Sequence, residues 1–395
     1  MGDQIFRFVK QRCSRRRFCV VIVGLAQIEK AELFEILHFS IVDLPKYAIG
    51  YSEEFATRTY SGNEVIIQGI TLAIFSGICN GLFTAPMKLM PRWNWENIWI
   101  VFIVVSCLIM PVSVVSTSAH NWTSVLAAAP AGARLAALGF GFLWGFGAIC
   151  FGLSVDRLGV AVANSLVIGI SSALGSVVPL LLAPSLRFGT REAVLGISIA
   201  AFLVGVWLCG AAGRLRDAVS TNTVTTALPI GYVFAAAAGI MSAVFNIGYA
   251  LALPIADAGV KVGLSRFTAT NVIWLLMLGA GALPNLGYCA FLLRRNGTAN
   301  RFKQSSGKSF ALSIAMGVLW GGSIFLYGAA TPLLGDIGPS VGWPLSLAVG
   351  LLVANLMGLL LREWRNAGKA AKRRMIGGIA WLIAAIVLCA FSTRF

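Results

Sequence analysis

Ten long apolar segments dominate this chain of 395 residues and restrict how it can fold. A helix needs about 20 mostly apolar residues to cross the hydrocarbon core of a bilayer. Segments near that length, joined by short connectors, occupy residues 65–87, 95–116, 137–154, 160–184, 192–212, 230–254, 266–292, 308–330, 339–361 and 374–392. Only 12% of the residues are charged, where soluble domains have about 25%. The chain is therefore predicted to be an all-α polytopic membrane protein, because the segments lack the strict alternation of barrel strands.

The basic residues are unevenly distributed between the two sets of loops. Beyond residue 64 the chain has 22 Lys and Arg residues. Sixteen of them lie in or next to the loops that follow the odd-numbered segments, and six lie in the other loops and the C-terminal tail. Cytoplasmic loops carry the excess of Lys and Arg. The loops at 294–308 and 362–374 are therefore predicted to be cytoplasmic, with both termini outside. The net charge of +16 then reflects how the chain is oriented in the membrane, and we expect no nucleic-acid partner.

Residues 1–64 differ from the rest of the chain. They hold eight of the fifteen acidic residues, and their longest apolar run, which follows three arginines, has about nine residues and is too short to span a bilayer. We interpret residues 1–64 as a disordered N-terminal extension or a start-site artefact. The alternative is a targeting or interfacial segment.

One phrase occurs twice in the remaining sequence, as LWGFGAICFG at 143–152 and LWGGSIFLYG at 319–328. A second pair, SGICNGLFT at 76–84 and AGIMSAVFN at 238–246, matches in the same way. These pairs predict two five-helix repeats, residues 65–228 and 229–395. Because five is odd, the second repeat enters the membrane from the opposite side, which makes the repeats inverted. Inverted repeats are typical of secondary transporters, whose substrate site lies near the midplane between the halves.

Each copy of the phrase carries two aromatic residues seven positions apart, Trp144 with Phe151 and Trp320 with Tyr327. This spacing puts each pair on one face of its helix. A neighbouring stripe of glycines would let other helices approach closely. The aromatic residues either pack between helices or line a central cavity and stack on a ligand ring, and the sequence leaves both interpretations open.

Polar residues within the segments indicate a neutral ligand. Uncharged polar side chains are costly in hydrocarbon unless they face the bundle interior or water. Those predicted to bind substrate, with hydrogen bonding between helices as the alternative, are Asn80, Thr84, Asn164, Ser172, Asn246 and Ser323. No acidic or basic residue lies clearly at the middle of a segment, which favours an uncharged solute. The cysteines have no CxxC spacing and both histidines lie outside the segments, so no metal or cofactor is expected.

Four motifs resemble the L-rhamnose/proton symporter family of the drug/metabolite transporter superfamily. They are FTAPMK at 83–88, WNWENIW at 93–99, LWGFGAICFGLSVDRLG at 143–159 and REWRNAG at 362–368, and the likeness extends over about residues 66–388. The resemblance implies a bacterial inner-membrane carrier that takes up rhamnose or a similar sugar with protons by alternating access. It also implies a cavity lined mainly by spans 1, 3, 4, 6, 8 and 9. Glu96, within WNWENIW, is the candidate proton-coupling carboxylate.

Two other functions are compatible with parts of the sequence. An exporter of metabolites or amphipathic drugs would have the same fold and a similarly aromatic cavity. A membrane-embedded enzyme would need clustered carboxylates, histidines or a large catalytic loop, and the sequence provides none of these. We therefore expect a transporter and not an enzyme, with the lipid bilayer, a small neutral sugar and protons as its partners.

Overall fold

A computed structural model describes residues 62–158, 160–183, 189–221, 229–303, 307–360 and 364–394. All regular elements in these ranges are helices, and ten of them are long and apolar enough to cross a membrane. We number these α1 (Gly62–Leu82), α2 (Trp95–Ser118), α3 (Ala131–Leu158), α4 (Val160–Leu182), α5 (Thr190–Thr221), α6 (Pro229–Lys261), α7 (Arg266–Arg295), α8 (Gly307–Leu333), α9 (Gly338–Leu360) and α10 (Lys369–Ser392). The predicted α-helical membrane protein with ten spans is confirmed. Of the extension predicted for residues 1–64, residues 1–61 lie outside the described residues.

Local sequence signals explain where several helices begin and end. Ser265 caps the start of α7, because its side chain accepts a hydrogen bond of 3.1 Å from the Thr268 backbone N–H. Gly263, Gly297 and Gly335 follow the ends of α6, α7 and α8 with φ angles of 93°, 63° and 79°. Glycine is favoured there because a side chain would disfavour this left-handed conformation.

Helix α2 is not regular along its length. It changes from α-helix to a π-helical stretch at Val104–Ile109 and returns to α-helix at Met110. Pro111 lies just beyond the change, and a proline there cannot donate to the preceding turn. The ring therefore accounts for the local widening, as π-bulges commonly adjust the ladder of hydrogen bonds.

Helix packing follows the pattern that a duplication of α1–α5 into α6–α10 predicts. Helix α3 packs on α6 as α8 packs on α1, and α4 packs on α6 as α9 packs on α1. Helices α2, α4 and α5 also pack against their own counterparts α7, α9 and α10. This exchange symmetry supports the duplication, while the inverted orientation and the boundary at residue 228, within the undescribed 222–228, stay predictions.

Glycines of the repeated phrase make equivalent close contacts in the two halves. A methyl group on Gly145 would lie 2.5 Å from the Gly281 carbonyl oxygen of α7, and one on Gly321 would lie 2.6 Å from Met110 Sδ of α2. Gly152 has more room, since its nearest neighbour would be 3.9 Å away. The first glycine of the stripe in each copy therefore allows a close helix contact: Gly145 lets α3 approach α7, and Gly321 lets α8 approach α2.

Candidate functional site

A cavity of about 110 Å³ lies at the centre of the bundle. Trp144 lies midway along α3 and Trp320 midway along α8, which places the cavity near the middle of the spans. The walls come from α1, α3, α6, α8 and α9, and the lining residues are Ser76, Asn80, Trp144, Ser242, Phe245, Trp320, Ser323, Ile324, Tyr327, Trp343, Ser346 and Leu347. Small-molecule pockets usually enclose about 300 to 1,000 Å³. The cavity is therefore smaller than the pockets that usually hold drug-sized ligands.

The two tryptophans of the repeated phrase meet in this cavity. The Trp144 and Trp320 rings stack with centroids 5.2 Å apart and planes inclined by 11°. Phe245 flanks Trp144 at 4.9 Å, and Phe102 contacts the Trp320 ring edge to face at 5.7 Å. The predicted pair is thus brought together from two helices and two predicted repeats. If the indoles separate, each can present an apolar face to a ligand.

Asn80 is the predicted amide that faces the cavity without an internal partner. Its side chain is partly exposed and makes no hydrogen bond to any described residue. Ser242 also faces the cavity, and its oxygen accepts a hydrogen bond of 2.8 Å from the Ser171 hydroxyl. The Ser242 proton therefore remains available to a ligand acceptor. Asn80 and Ser242 together provide donors and an acceptor that suit hydroxyl groups.

The other cavity hydroxyls also hold helices together. Ser76 Oγ donates to the Ser323 carbonyl at 2.8 Å and lies 2.8 Å from Ser346 Oγ, which links α1 to α8 and α9. Ser323 Oγ donates to the Trp320 carbonyl at 2.7 Å within its own helix. Ser323 was predicted from the sequence to bind substrate, and it lines the cavity with this hydroxyl already bonded.

The electrostatics of the cavity match a neutral ligand, since all twelve lining residues are uncharged. Sequence reasoning missed seven of them, which are Ser76, Ser242, Phe245, Ile324, Trp343, Ser346 and Leu347. The repeated motif contained one usable signal, because aligning SGICNGLFT with AGIMSAVFN places Ser242 opposite Asn80 and Phe245 opposite Phe83. Trp343 had no such signal: its indole N–H donates to the Ser171 carbonyl at 3.2 Å, a contact that only the packing of α9 on α4 creates.

One side of the Trp144–Trp320 stack is closed by a buried cluster that we call the tyrosine side, formed by Asn246, Tyr249, Trp274, Tyr327 and Thr331. The Tyr327 hydroxyl donates to Asn246 Oδ1. Tyr249 Oη lies 2.5 Å from Thr331 Oγ1, and the Tyr249 ring stacks on Trp274 with centroids 4.5 Å apart. All five side chains are at most 1% exposed. The cluster joins α6, α7 and α8 and excludes solvent from that side.

Asn246 was predicted from the sequence to bond substrate hydroxyls, and the structure places it in this cluster behind the cavity wall. Its amide nitrogen donates to the Gly175 carbonyl at 2.7 Å and to the Pro339 carbonyl at 3.1 Å. Both donors and the acceptor of Asn246 are therefore engaged, which ties α6 to α4, α8 and α9. Tyr327 contributes to the cavity lining as well as to the cluster.

Four other predicted site residues do not line the cavity. Thr84 is exposed just beyond α1, and Phe151 and Asn164 are partly buried along α3 and α4. We call the region of these three residues the phenylalanine side. Ser172 is fully buried in α4, and its hydroxyl has no hydrogen-bond partner among the described residues. The assignment of these four residues to the substrate site stays a prediction.

Glu96, the predicted proton-coupling residue, lies away from the cavity in the first turn of α2. Its Oε1 accepts hydrogen bonds from Thr298 Oγ1 at 2.7 Å, Asn296 Nδ2 at 3.0 Å and Asn94 Nδ2 at 3.4 Å. The neighbouring Asn97 side chain donates to the Thr298 carbonyl at 3.0 Å. Glu96 and Asn97 therefore fasten the start of α2 to the segment after α7.

Two of the three tryptophans of WNWENIW, Trp93 and Trp99, are buried inside the bundle, and Trp95 is partly buried. Trp93 packs edge to face on Phe310 at 4.8 Å, and Trp95 stacks on Trp99 at 5.0 Å. The Trp99 N–H donates to Asn285 Oδ1 at 3.1 Å. The motif thus packs the start of α2 against both α7 and α8.

Comparison with known families identifies one match that covers almost all of the described chain. The family model described as L-rhamnose-proton symport protein (RhaT) matches residues 62–392. The match includes all ten helices and the three tryptophans that line the central cavity.

Curated relatives agree with this family match. An L-rhamnose-proton symporter of Klebsiella pneumoniae (strain 342) is 27% identical over 322 residues, which covers 78% of this chain and 92% of the relative. A protein of the same description from Escherichia coli (strain K12 / DH10B) has the same identity and coverage. One from Cronobacter sakazakii (strain ATCC BAA-894) is 28% identical over 324 residues, with the same shares covered.

Proposed function

The chain belongs to the L-rhamnose-proton symport protein family, and from this we propose that it carries L-rhamnose or a similar neutral sugar into the cell together with protons. Family membership makes it a transporter and not an enzyme. The observation that carries the proposal is the central cavity, in which Trp144 and Trp320 stack beside the unpartnered Asn80 amide. A sugar presents apolar C–H faces and hydroxyl edges, which match indole rings and an amide respectively.

The burial pattern around the cavity supports transport by alternating access. The tyrosine side is closed, whereas Thr84, Phe151 and Asn164 on the phenylalanine side are exposed or partly buried. A sugar would enter when the tyrosine side opens and leave through the phenylalanine side. Separation of the two indoles would widen the cavity of about 110 Å³ around the sugar.

We propose that the protein resides in a bacterial inner membrane with the phenylalanine side towards the cytoplasm. The excess of Lys and Arg in the loops at 294–308 and 362–374 supports this orientation. Single cysteines at the exposed positions Ala299 and Gly368, in a background without native cysteines, should react with an impermeant maleimide only after permeabilisation. A cysteine at the exposed His120, in an opposite loop, should react in intact cells. The reverse labelling pattern would overturn the orientation.

We further propose that Glu96 couples proton movement to transport. Its carboxylate joins α2 to the segment after α7 through neutral donors, so a change in its protonation would change this link. Glu96→Gln keeps an acceptor oxygen but cannot ionise. It should preserve sugar counterflow and abolish accumulation driven by a pH gradient, whereas the control Glu192→Gln in α5 should preserve both. Accumulation by Glu96→Gln at the wild-type level would exclude Glu96 from coupling.

Uptake into proteoliposomes tests the whole proposal. Purified protein should accumulate radiolabelled L-rhamnose when the outside is acidic relative to the lumen. A collapsed pH gradient should reduce uptake to equilibration. Absence of uptake for every sugar in a panel of deoxyhexoses, hexoses and pentoses would contradict a sugar substrate. Accumulation without any dependence on the pH gradient would contradict proton coupling.

A further inference from the structure

A second cavity, of about 400 Å³, lies where α9 connects to α10. We call it the α9–α10 groove, and its lining residues are Leu359, Trp364, Arg365, Lys372, Met375, Ile376 and Ile379. Helix α9 ends at Leu360 and α10 begins at Lys369, so the groove lies at the ends of two membrane-spanning helices. The α9–α10 groove and the central cavity have no lining residue in common.

The wall of the groove is apolar and turned outwards. Lys372, Ile376 and Ile379 share one face of α10 because they are four and three residues apart. Ile376 is 68% exposed and Leu359 is 42% exposed, whereas Met375 is buried and forms the floor. Exposed apolar side chains at this position contact lipid acyl chains when the protein is in a membrane.

The end of the groove is basic. Arg365 and Lys372 are both exposed, and none of the seven lining residues is acidic. Trp364, the residue before Arg365, is buried, and the Arg216 guanidinium lies 5.0 Å from the centre of its ring. Two cations thus lie beside an apolar groove at the ends of two membrane-spanning helices, where basic side chains can reach lipid headgroups.

We propose that the α9–α10 groove binds one anionic glycerophospholipid. The phosphate would be held by Arg365 and Lys372, and an acyl chain would lie along Leu359, Ile376 and Ile379. Charge complementarity favours an anionic lipid, and the continuity of the basic end with an outward apolar wall favours a lipid over a free phosphate. This site is independent of the sugar site and of the direction of transport.

Native mass spectrometry of lipid retention tests the proposal. The full-length protein is reconstituted in phosphatidylcholine vesicles that contain phosphatidylglycerol and is then extracted in mild detergent. Wild-type protein should retain phosphatidylglycerol in preference to phosphatidylcholine. Arg365→Gln with Lys372→Gln should weaken retention about 30-fold, because each basic residue near an anionic surface contributes roughly fivefold. The matched control Lys369→Gln with Arg373→Gln removes the same charge from exposed positions outside the groove and should retain the lipid.

A second variant tests the shape of the groove separately from its charge. Ile376→Trp fills the channel, keeps both cations and lies on an exposed face, so folding should be preserved. It should also lose preferential retention of phosphatidylglycerol. Equal retention by the double variant and its control would overturn the proposal, as would equal retention of the two lipids by wild-type protein. Displacement of the lipid by glycerol 3-phosphate alone would show a phosphate site instead and would equally overturn it.

Discussion

Tyr327 in α8 and Phe151 in α3 occupy the same position in the repeated phrase, but their surroundings differ. Tyr327 is 1% exposed and donates to Asn246, whereas Phe151 is partly buried. Asn246 is fully buried with its amide engaged, and the residue aligned with it, Thr84, is exposed. Equivalent positions of the two repeats are therefore fully buried on the tyrosine side of the tryptophan stack, and exposed or only partly buried on the phenylalanine side.

Helix α9 shows the same difference within a single element. Every residue in 338–346 is buried, whereas residues 352–355, which cover all faces of the helix, are only partly buried. Ser340 is in the first stretch, and the equal offset of the repeats aligns it with the partly buried Asn164 of α4. Alternating access requires two arrangements of similar helices, since their exchange between the two sides would switch access to the central cavity from one face of the membrane to the other.

The largest expected effect comes from removing the amide at the centre of the tyrosine side. Asn246→Ala should lower the free energy of unfolding by about 2 kcal/mol, because it removes three hydrogen bonds, each averaging about 0.6 kcal/mol in membrane proteins and up to about 1.7. The equivalent Thr84→Ala should change it little, since Thr84 is exposed. Thermal unfolding of both variants in detergent provides the measurement. Equal unfolding temperatures would remove the difference between the two sides.

Cysteine labelling measures the same difference without a large perturbation. In a background without native cysteines, Asn164→Cys should react with a soluble maleimide at least about ten times faster than Ser340→Cys, since a cysteine at the fully buried position 340 reacts only when the tyrosine side opens. Native-like elution in gel filtration would establish that both variants fold. Similar rates at the two positions would show that the sides do not differ in access.

The smallest predicted effect is a shift in the balance between the two arrangements. Tyr327→Phe removes the hydroxyl that donates to Asn246 and should raise labelling of Ser340→Cys about threefold, as expected for one average hydrogen bond in a membrane protein. Tyr232→Phe, on an exposed face of α6, is the control and should leave the rate unchanged. A rate unaffected by Tyr327→Phe would mean that this bond does not hold the side closed.

Much of this architecture could be predicted from the sequence because lipid imposes a simple length rule on each span. The repeated phrase also singled out Trp144 and Trp320, which lie at helix centres and stack on each other, while their role in binding substrate stays a prediction. Which of the two amides, Asn80 or Asn246, has hydrogen-bond partners inside the bundle could not be predicted. Both amides lie in similar motifs, and only the approach of the Gly175, Tyr327 and Pro339 backbone or side-chain groups distinguishes the engaged amide from the unpartnered one.

Equilibrium binding of L-rhamnose to purified protein tests whether the stacked tryptophans form the sugar site. Trp144→Phe and Trp320→Phe should each weaken binding about fivefold, since an aromatic contact contributes about 1 kcal/mol. Trp207→Phe, at a position 62% exposed on α5, is the matched control and should bind as the wild type does. Unfolding temperatures of all three variants should stay close to that of the wild type. Unchanged affinity in both cavity variants, accompanied by lowered unfolding temperatures, would contradict the account and make the stack a packing contact.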